Sequence, residues 1–176
     1  MSLKRVYVLT AVLAMSVLLA TAGGAAHASP AVSHPVGISL GLMLGDPTGL
    51  TLKQNLGGSN AWDLGVGVGP GLRLHADYLW GLAQLLSNTS AVTLDIYLGV
   101  GPVLGIARGW CGSSYNPNGV CGDRGVFAGA RVPFGLEARL VRAPVSFGFE
   151  IAPGLWLGQN FASGLLDVFL FVRFWL

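Results

Sequence analysis

The chain has 176 residues, of which 52% are hydrophobic and only 10% are charged, whereas an ordinary soluble domain carries about 25% charged residues. This apolar composition excludes a disordered chain, and the polar residues are too few to cover an ordinary soluble globule. The length suits a single domain.

The first 28 residues have the pattern of a secretory signal peptide. Lys4 and Arg5 form a basic start, Val6 to Ala20 is an apolar stretch, and Ala26-His27-Ala28 is an A-x-A cleavage site. The apolar stretch is short for a membrane span, and small residues follow it. We therefore expect cleavage before Ser29, with a retained N-terminal anchor as the alternative.

The mature chain would carry no net charge. It keeps eight basic and eight acidic residues, so the formal charge of +2 for the whole sequence belongs to the signal peptide. Because no basic patch remains, we expect no nucleic-acid partner.

Alternation of apolar with small or polar residues indicates strands in the mature chain. In 36–44, Ile38, Leu40 and Leu42 share one face, and the other face holds small or polar residues and Met43. No apolar run is long enough for a transmembrane helix. The alternation recurs in seven further segments: 50–56, 61–69, 72–80, 91–101, 125–139, 144–152 and 165–176.

The charged residues of these eight segments all have the parity opposite to the apolar face. A soluble barrel has apolar residues inside and charges outside, whereas a transmembrane barrel has the reverse. The bilayer also requires closure, because an open sheet edge would leave backbone groups unpaired in lipid. The pattern therefore predicts an all-β fold, an eight-stranded antiparallel transmembrane up-and-down β-barrel. The predicted division is a signal peptide, 1–28, and an outer-membrane β-barrel, 29–176.

An interior charge network follows from the same parity. Its predicted members are Lys53, Asp63, Arg73, His75, Asp77, Asp95, Arg131, Glu137, Glu150, Asp167 and Arg173, with Arg139 near the rim. Eight strands leave an interior only wide enough for side chains to fill, so we expect a lumen plugged by paired charges. Inward-facing glycines favour the alternative, a water-containing pore: residues 65, 67, 99, 101, 129, 135 and 148.

An even number of strands puts both chain ends on the periplasmic side. The ends of the predicted strands carry aromatic residues, which predicts two girdles at the membrane interfaces. The periplasmic rim would hold Trp62, Tyr78, Trp80, Phe174 and Trp175, and the opposite rim Trp110 and Trp156.

Cys111 and Cys121 lie in one predicted outer loop. An oxidising export route favours a disulfide between them. Free thiols and a metal site are the alternatives, but a metal would need more ligands than His34 and His75 supply. We expect no metal and no cofactor.

The segment Gly45-Asp46-Pro47-Thr48-Gly49-Leu50-Thr51-Leu52-Lys53 resembles a G-D/E-P-T-G-x-x-x-K motif. The motif is typical of a family of small, uncharacterised bacterial outer-membrane β-barrel proteins. Weaker matches are Ala61 to Asp63, Asp77 to Trp80, Arg131 to Leu136, Glu150 to Pro153 and Val172 to Phe174. The architecture is also similar to the eight-stranded outer membrane protein A and X barrels.

The resemblance implies a fold and a location in the bacterial outer membrane, but no established activity. It implies a monomer surrounded by outer-membrane lipid and lipopolysaccharide and inserted by the barrel-assembly machinery. Such barrels usually end in an aromatic residue that this machinery reads, whereas this chain ends in Leu176.

Three functions remain open from the sequence. The first is a structural or surface-interaction barrel with a plugged lumen, and the second is a narrow pore for small solutes or ions. The third is a lipid-A-modifying enzyme, for which His75 and Asp77 would be the base and its orienting acid. We favour the first and expect no enzyme, because a histidine within the charge network explains His75 better and no G-x-S-x-G segment is present.

Overall fold

The computed structural model describes residues 34, 36–69, 71–86, 91–107, 125–157 and 162–176. The predicted signal peptide, Trp110, Cys111 and Cys121 lie outside these ranges. The described part contains nine strands: β1 (Gly37–Asp46), β2 (Thr48–Gly57), β3 (Asn60–Val68), β4 (Gly71–Leu86), β5 (Val92–Ala107), β6 (Gly125–Arg131), β7 (Phe134–Leu140), β8 (Val145–Leu157) and β9 (Ala162–Trp175).

The nine strands form one closed antiparallel ring. β1 pairs with both β2 and β9, which closes the barrel. β6 and β7 each pair with β5 and β8, so they are two halves of a single strand. The result is the predicted eight-stranded up-and-down barrel.

A short break at Val132 and Pro133 separates β6 from β7. Pro133 has no backbone N–H for the ladder, but its carbonyl accepts a hydrogen bond from the Gly99 N–H at 2.8 Å. The Val132 N–H donates to the Pro153 carbonyl at 2.8 Å. The backbone therefore stays hydrogen-bonded across the break, as a buried backbone must.

β4 and β5 are longer than their sequence pattern indicates. The alternation predicted strands over 72–80 and 91–101, with a connection between them. In the structure β4 continues to Leu86 and pairs with β5 through register shifts at Gly81/Ala83 and Gln84/Leu86. Each shift adds an unpaired residue and reverses the parity, so the period of two is lost although the strand continues.

The two faces of the barrel differ sharply. Large apolar side chains cover the outside, among them Leu40, Leu64, Leu104, Phe149 and Leu170, each of them exposed. Polar and charged side chains lie inside. Within the described ranges, no helix is long and apolar enough to cross a membrane.

The two ends of the barrel are distinguished by their connections. At one end, here called the terminal mouth, lie His34, Leu176 and the turns that lead from β2 to β3, from β4 to β5 and from β7 to β8. At the other end, the opposite mouth, lie the last residues of β1, β3, β5 and β8 and the first residues of β2, β4, β6 and β9.

Two tryptophans assigned to the girdles from sequence point into the lumen instead. Trp156 is 2% exposed and packs with Val103 and Leu165 near the opposite mouth. The Trp175 indole N–H donates to the buried Ser146 hydroxyl at 3.0 Å. Both residues have the same parity as the inward-facing charged residues of their strands. The girdle prediction for them was wrong because it used their position at a strand end and not their parity. Trp62, Tyr78 and Trp80 do form an edge-to-face row near the terminal mouth.

Candidate functional site

The lumen brings the predicted network residues together. Each of them is at most 7% exposed, although they come from eight of the nine strands. The buried set is Lys53, Asp63, Arg73, His75, Asp77, Asp95, Arg131, Glu137, Glu150, Asp167 and Arg173.

Arg131 is the centre of the network. Its guanidinium donates to Asp77 at 2.6 Å, to Glu150 at 2.7 Å and to Asp167 at 3.0 Å. These carboxylates belong to β4, β8 and β9, so one side chain links three strands across the barrel. The planar fork of an arginine has five N–H donors and can serve several carboxylates at once.

Arg73 extends this cluster towards the opposite mouth. It shares Asp167 with Arg131 and also donates to Asp46 at 2.7 Å. The Asp46 side chain is 54% exposed, so the chain of ion pairs runs from the middle of the lumen to the surface.

A second cluster lies towards the terminal mouth. Arg173 donates to Asp63 and to the Thr51 hydroxyl, and that hydroxyl donates to Asp63 at 2.8 Å. Lys53 donates to Glu137 at 2.5 Å, and a guanidinium nitrogen of Arg173 lies 3.8 Å from Glu137. This cluster therefore pairs two cations with two carboxylates.

Tyr97 connects the two clusters. Its hydroxyl donates to Glu150 at 2.7 Å, and its ring lies under the Lys53 ammonium at 4.8 Å. Phe169 lies against Arg131 and Phe171 against Arg173, with separations of 5.8 and 3.9 Å. Aromatic faces attract cations most strongly where water is excluded, so these rings both fill the lumen and favour its charges.

Asp95 has a partner that the sequence analysis did not identify. His34, which precedes β1, places its Nε2 atom 3.1 Å from a carboxylate oxygen of Asp95. Both side chains line a cavity of about 20 Å³, which is space for about one water molecule. No periodic pattern contains His34, so the sequence offered no signal for this contact.

His75 lies deep in the lumen rather than at an outer surface. Its ring stacks on Phe169, and its Nε2 atom is 3.9 Å from Asp77, beyond hydrogen-bonding distance. Asp77 is instead held by Arg131. The proposed base and orienting acid are therefore not arranged as a hydrogen-bonded pair.

Large side chains occupy the space beside the inward-facing glycines. A Cβ atom added at Gly65 would lie 2.2 Å from the His75 ring, and one at Gly135 would lie 2.1 Å from the Tyr97 ring. Phe171 fills the space at Gly148 in the same way. At these positions the absent side chain makes room for a neighbouring ring and not for a channel.

No group of three or more metal-ligating side chains is arranged around a common point in the part of the chain that the structure describes. The predicted pair Cys111 and Cys121 lies outside that part, so the disulfide stays a prediction.

The chain matches no protein-family model and no curated protein. Among solved structures it is similar to the crystal structure of the N-terminal β-barrel domain of Pseudomonas aeruginosa OprF. The two share 17% sequence identity and a TM-score of 0.50, and the match covers 80% of this chain and 96% of that domain. At this identity the likeness concerns the fold alone, and it agrees with the transmembrane barrel derived from the two faces.

Proposed function

We propose that the protein is an integral outer-membrane barrel whose lumen is closed by its own side chains and whose role is structural or surface-interacting. The observation that best supports a closed lumen is the position of Arg131. Its side chain is fully buried and bonded to three carboxylates from three strands. A buried charge is tolerated only when it is paired, so opening a channel through this cluster would leave unpaired charge.

An outer-membrane location is supported by the apolar outer surface and by the signal-peptide pattern of residues 1–28. An apolar exterior with a polar interior suits a lipid bilayer, and a cleaved signal peptide, 1–28, would export the barrel, 29–176. Outer-membrane lipid and lipopolysaccharide would then surround it, and the resemblance to small outer-membrane barrels agrees with this location. The G-D/E-P-T-G family and insertion by the barrel-assembly machinery belong to the same proposal.

A non-enzymatic role fits the lumen better than catalysis does. His75, the one histidine in the proposed catalytic set, is buried and stacked on Phe169. Asp77, its partner in that set, is bonded to Arg131. Neither group faces the outer surface, where a lipid substrate would arrive.

Conductance across a planar bilayer tests the closed lumen against a pore. We expect the purified wild type to give no steady, discrete current. A double variant, Tyr97→Ala with Phe171→Ala, removes rings that fill the space beside Gly135 and Gly148 and should leak. The leaking variant shows that the assay detects inserted barrels, and discrete ion-selective current from the wild type would refute the closed lumen.

A further inference from the structure

An open cavity lies at the terminal mouth, apart from the network around Arg131. It has a volume of about 440 Å³ and is lined by the turn between β7 and β8, the start of β1 and the end of β9. Its charged lining residues are Arg139 and Arg142, and no acidic side chain among the described residues takes part. The side chains that line the cavity are therefore net basic, whereas in the rest of the lumen carboxylates outnumber cations.

Arg139 is held in place but has no anionic partner among the described residues. Its guanidinium stacks on the Trp175 ring at 3.8 Å, and the Trp175 indole donates to Ser146. It forms no hydrogen bond or ion pair with the residues that the structure describes. A guanidinium stacked on a ring keeps its N–H groups in the free plane, where they can grip an oxyanion with two bonds.

The nearest acidic side chains face the small inner cavity, although both oxygens of Asp95 and one of Glu137 have no hydrogen-bond partner among the described residues. Glu137, two residues before Arg139, is bonded to Lys53, and Asp95 lies against His34. Both carboxylates line the small inner cavity and not this one. Arg139 is therefore left to face the open cavity.

Asn55 also lines the cavity, as it does the small inner one, but its side-chain N–H₂ group is enclosed by protein. The two arginines are therefore the side chains that can hold an oxyanion here.

The turn that carries Arg142 is fixed by backbone hydrogen bonds. The Val141 N–H donates to the Ala91 carbonyl at 3.0 Å, and the Trp175 N–H donates to the Pro144 carbonyl at 2.7 Å. The exposed Arg142 is thus presented at the edge of the cavity, on the same turn that follows Arg139. The backbone of this turn is therefore fixed without a bound partner.

We propose that this cavity binds a phosphate group through Arg139 and Arg142. Its rim is formed by exposed aliphatic side chains, Val36, Val141 and Leu176. A phospholipid headgroup can therefore enter while its acyl chains lie along the apolar exterior, as in other basic lipid sites. Free inorganic phosphate offers the same oxyanion. The site does not depend on whether the lumen conducts.

Calorimetric titration of the detergent-solubilised full protein tests the site with three probes. These are short-chain phosphatidylglycerol, inorganic phosphate and the matching diacylglycerol, which lacks the phosphate. We expect saturable binding of the phosphatidylglycerol and none of the diacylglycerol. Phosphate binding as tightly as the lipid would identify free phosphate as the source, whereas binding of neither, or equal binding of the diacylglycerol, would refute the site.

The double variant Arg139→Gln with Arg142→Gln should weaken binding about ten- to hundredfold, the effect of losing charge-assisted hydrogen bonds. Arg108→Gln with Arg124→Gln is the matched control, because it removes the same two charges from positions that follow β5 and precede β6 in the sequence, and those strand ends lie at the opposite mouth. Unchanged affinity in the double variant, or an equal loss in the control, would contradict the proposal.

Chemical modification provides a readout that needs no variant. Phenylglyoxal should modify Arg139 and Arg142 in the wild type, and bound phosphatidylglycerol or phosphate should protect both. Arg124 serves as the internal reference in the same mass spectrum. Protection of all three arginines alike, or of none, would argue against a phosphate site at the terminal mouth.

Discussion

Arg131 illustrates how one residue can determine the interior of a small barrel. Its side chain is fully buried, yet every carboxylate that it contacts comes from a different strand. Removing these charges from water costs free energy. The attraction between the guanidinium and the carboxylates offsets that cost only while all of the ion pairs are formed. The cluster therefore favours the closed barrel over any arrangement of the strands that would separate the charged side chains.

Replacement of Arg131 by leucine should destabilise the barrel by about 3–5 kcal/mol, because it leaves Asp77, Glu150 and Asp167 buried with fewer partners. The measurement is urea unfolding of the refolded protein in detergent. Arg139→Leu is the matched control, since Arg139 has only its stacking on Trp175 to lose among the described contacts, worth about 1 kcal/mol. Equal losses in the two variants would show that the three-carboxylate cluster contributes no special stability.

The sequence predicts which residues face the lumen but not which of them pair. A period of two assigns Lys53 and Arg131 to the inside without ambiguity. The pairing depends on the relative heights of strands that are distant in the chain, as with Lys53 and Glu137, which are 84 positions apart. The position of each residue along the barrel axis depends on the stagger of the strands in the closed sheet. A local sequence pattern contains no information about this stagger.

At the level of the strands, glycines and large rings complement one another across neighbouring strands. Gly148 on β8 lies beside Phe171 on β9, and Gly135 on β7 lies beside Tyr97 on β5. Without a Cβ, each glycine lets the adjacent ring lie flat against the backbone. The sequence identified the small residues as inward-facing but could not indicate which side chain would fill the space.

Gly148→Ala should destabilise the barrel by about 1–3 kcal/mol, the range for overpacking. Its new Cβ would lie 2.1 Å from the Leu136 carbonyl oxygen and 2.5 Å from the Phe171 ring. Gly164→Ala on β9 is the control, because a Cβ atom added there would meet no described residue beyond its chain neighbours within 4 Å. Urea unfolding compares the two, and a larger loss in the control would contradict the packing of glycines against rings.

The connection between β5 and β6 carries the predicted disulfide between Cys111 and Cys121. Closing a loop of this size contributes about 2–3 kcal/mol in the chain-entropy model. Cys→Ser variants should therefore lose loop stability while the barrel stays closed by its strand pairs. Protein isolated from the cell envelope should resist alkylation until it is reduced, and labelling of both thiols beforehand would exclude the bond.

For the whole molecule, closure and charge distribution act together. The ring of described strands has no free edge because β1 pairs with β9 over eight residue pairs, and β4 pairs with β5 over twelve. Backbone hydrogen bonds around the ring stay protected in lipid or detergent, while the ion pairs inside tie strands that are not neighbours. Unfolding must break both sets together, so the barrel should open cooperatively and resist detergent.

This resistance predicts heat-modifiable migration in detergent gels. An unboiled sample should keep the compact barrel and migrate differently from a boiled one, in which the strands have separated and bound detergent along their length. Circular dichroism of the unboiled sample should show a β spectrum that disappears on boiling. The Arg131→Leu variant should convert at a lower temperature than the wild type, because its interior cluster is incomplete. Identical migration of boiled and unboiled wild type, together with a helical spectrum, would overturn the assignment of a closed barrel.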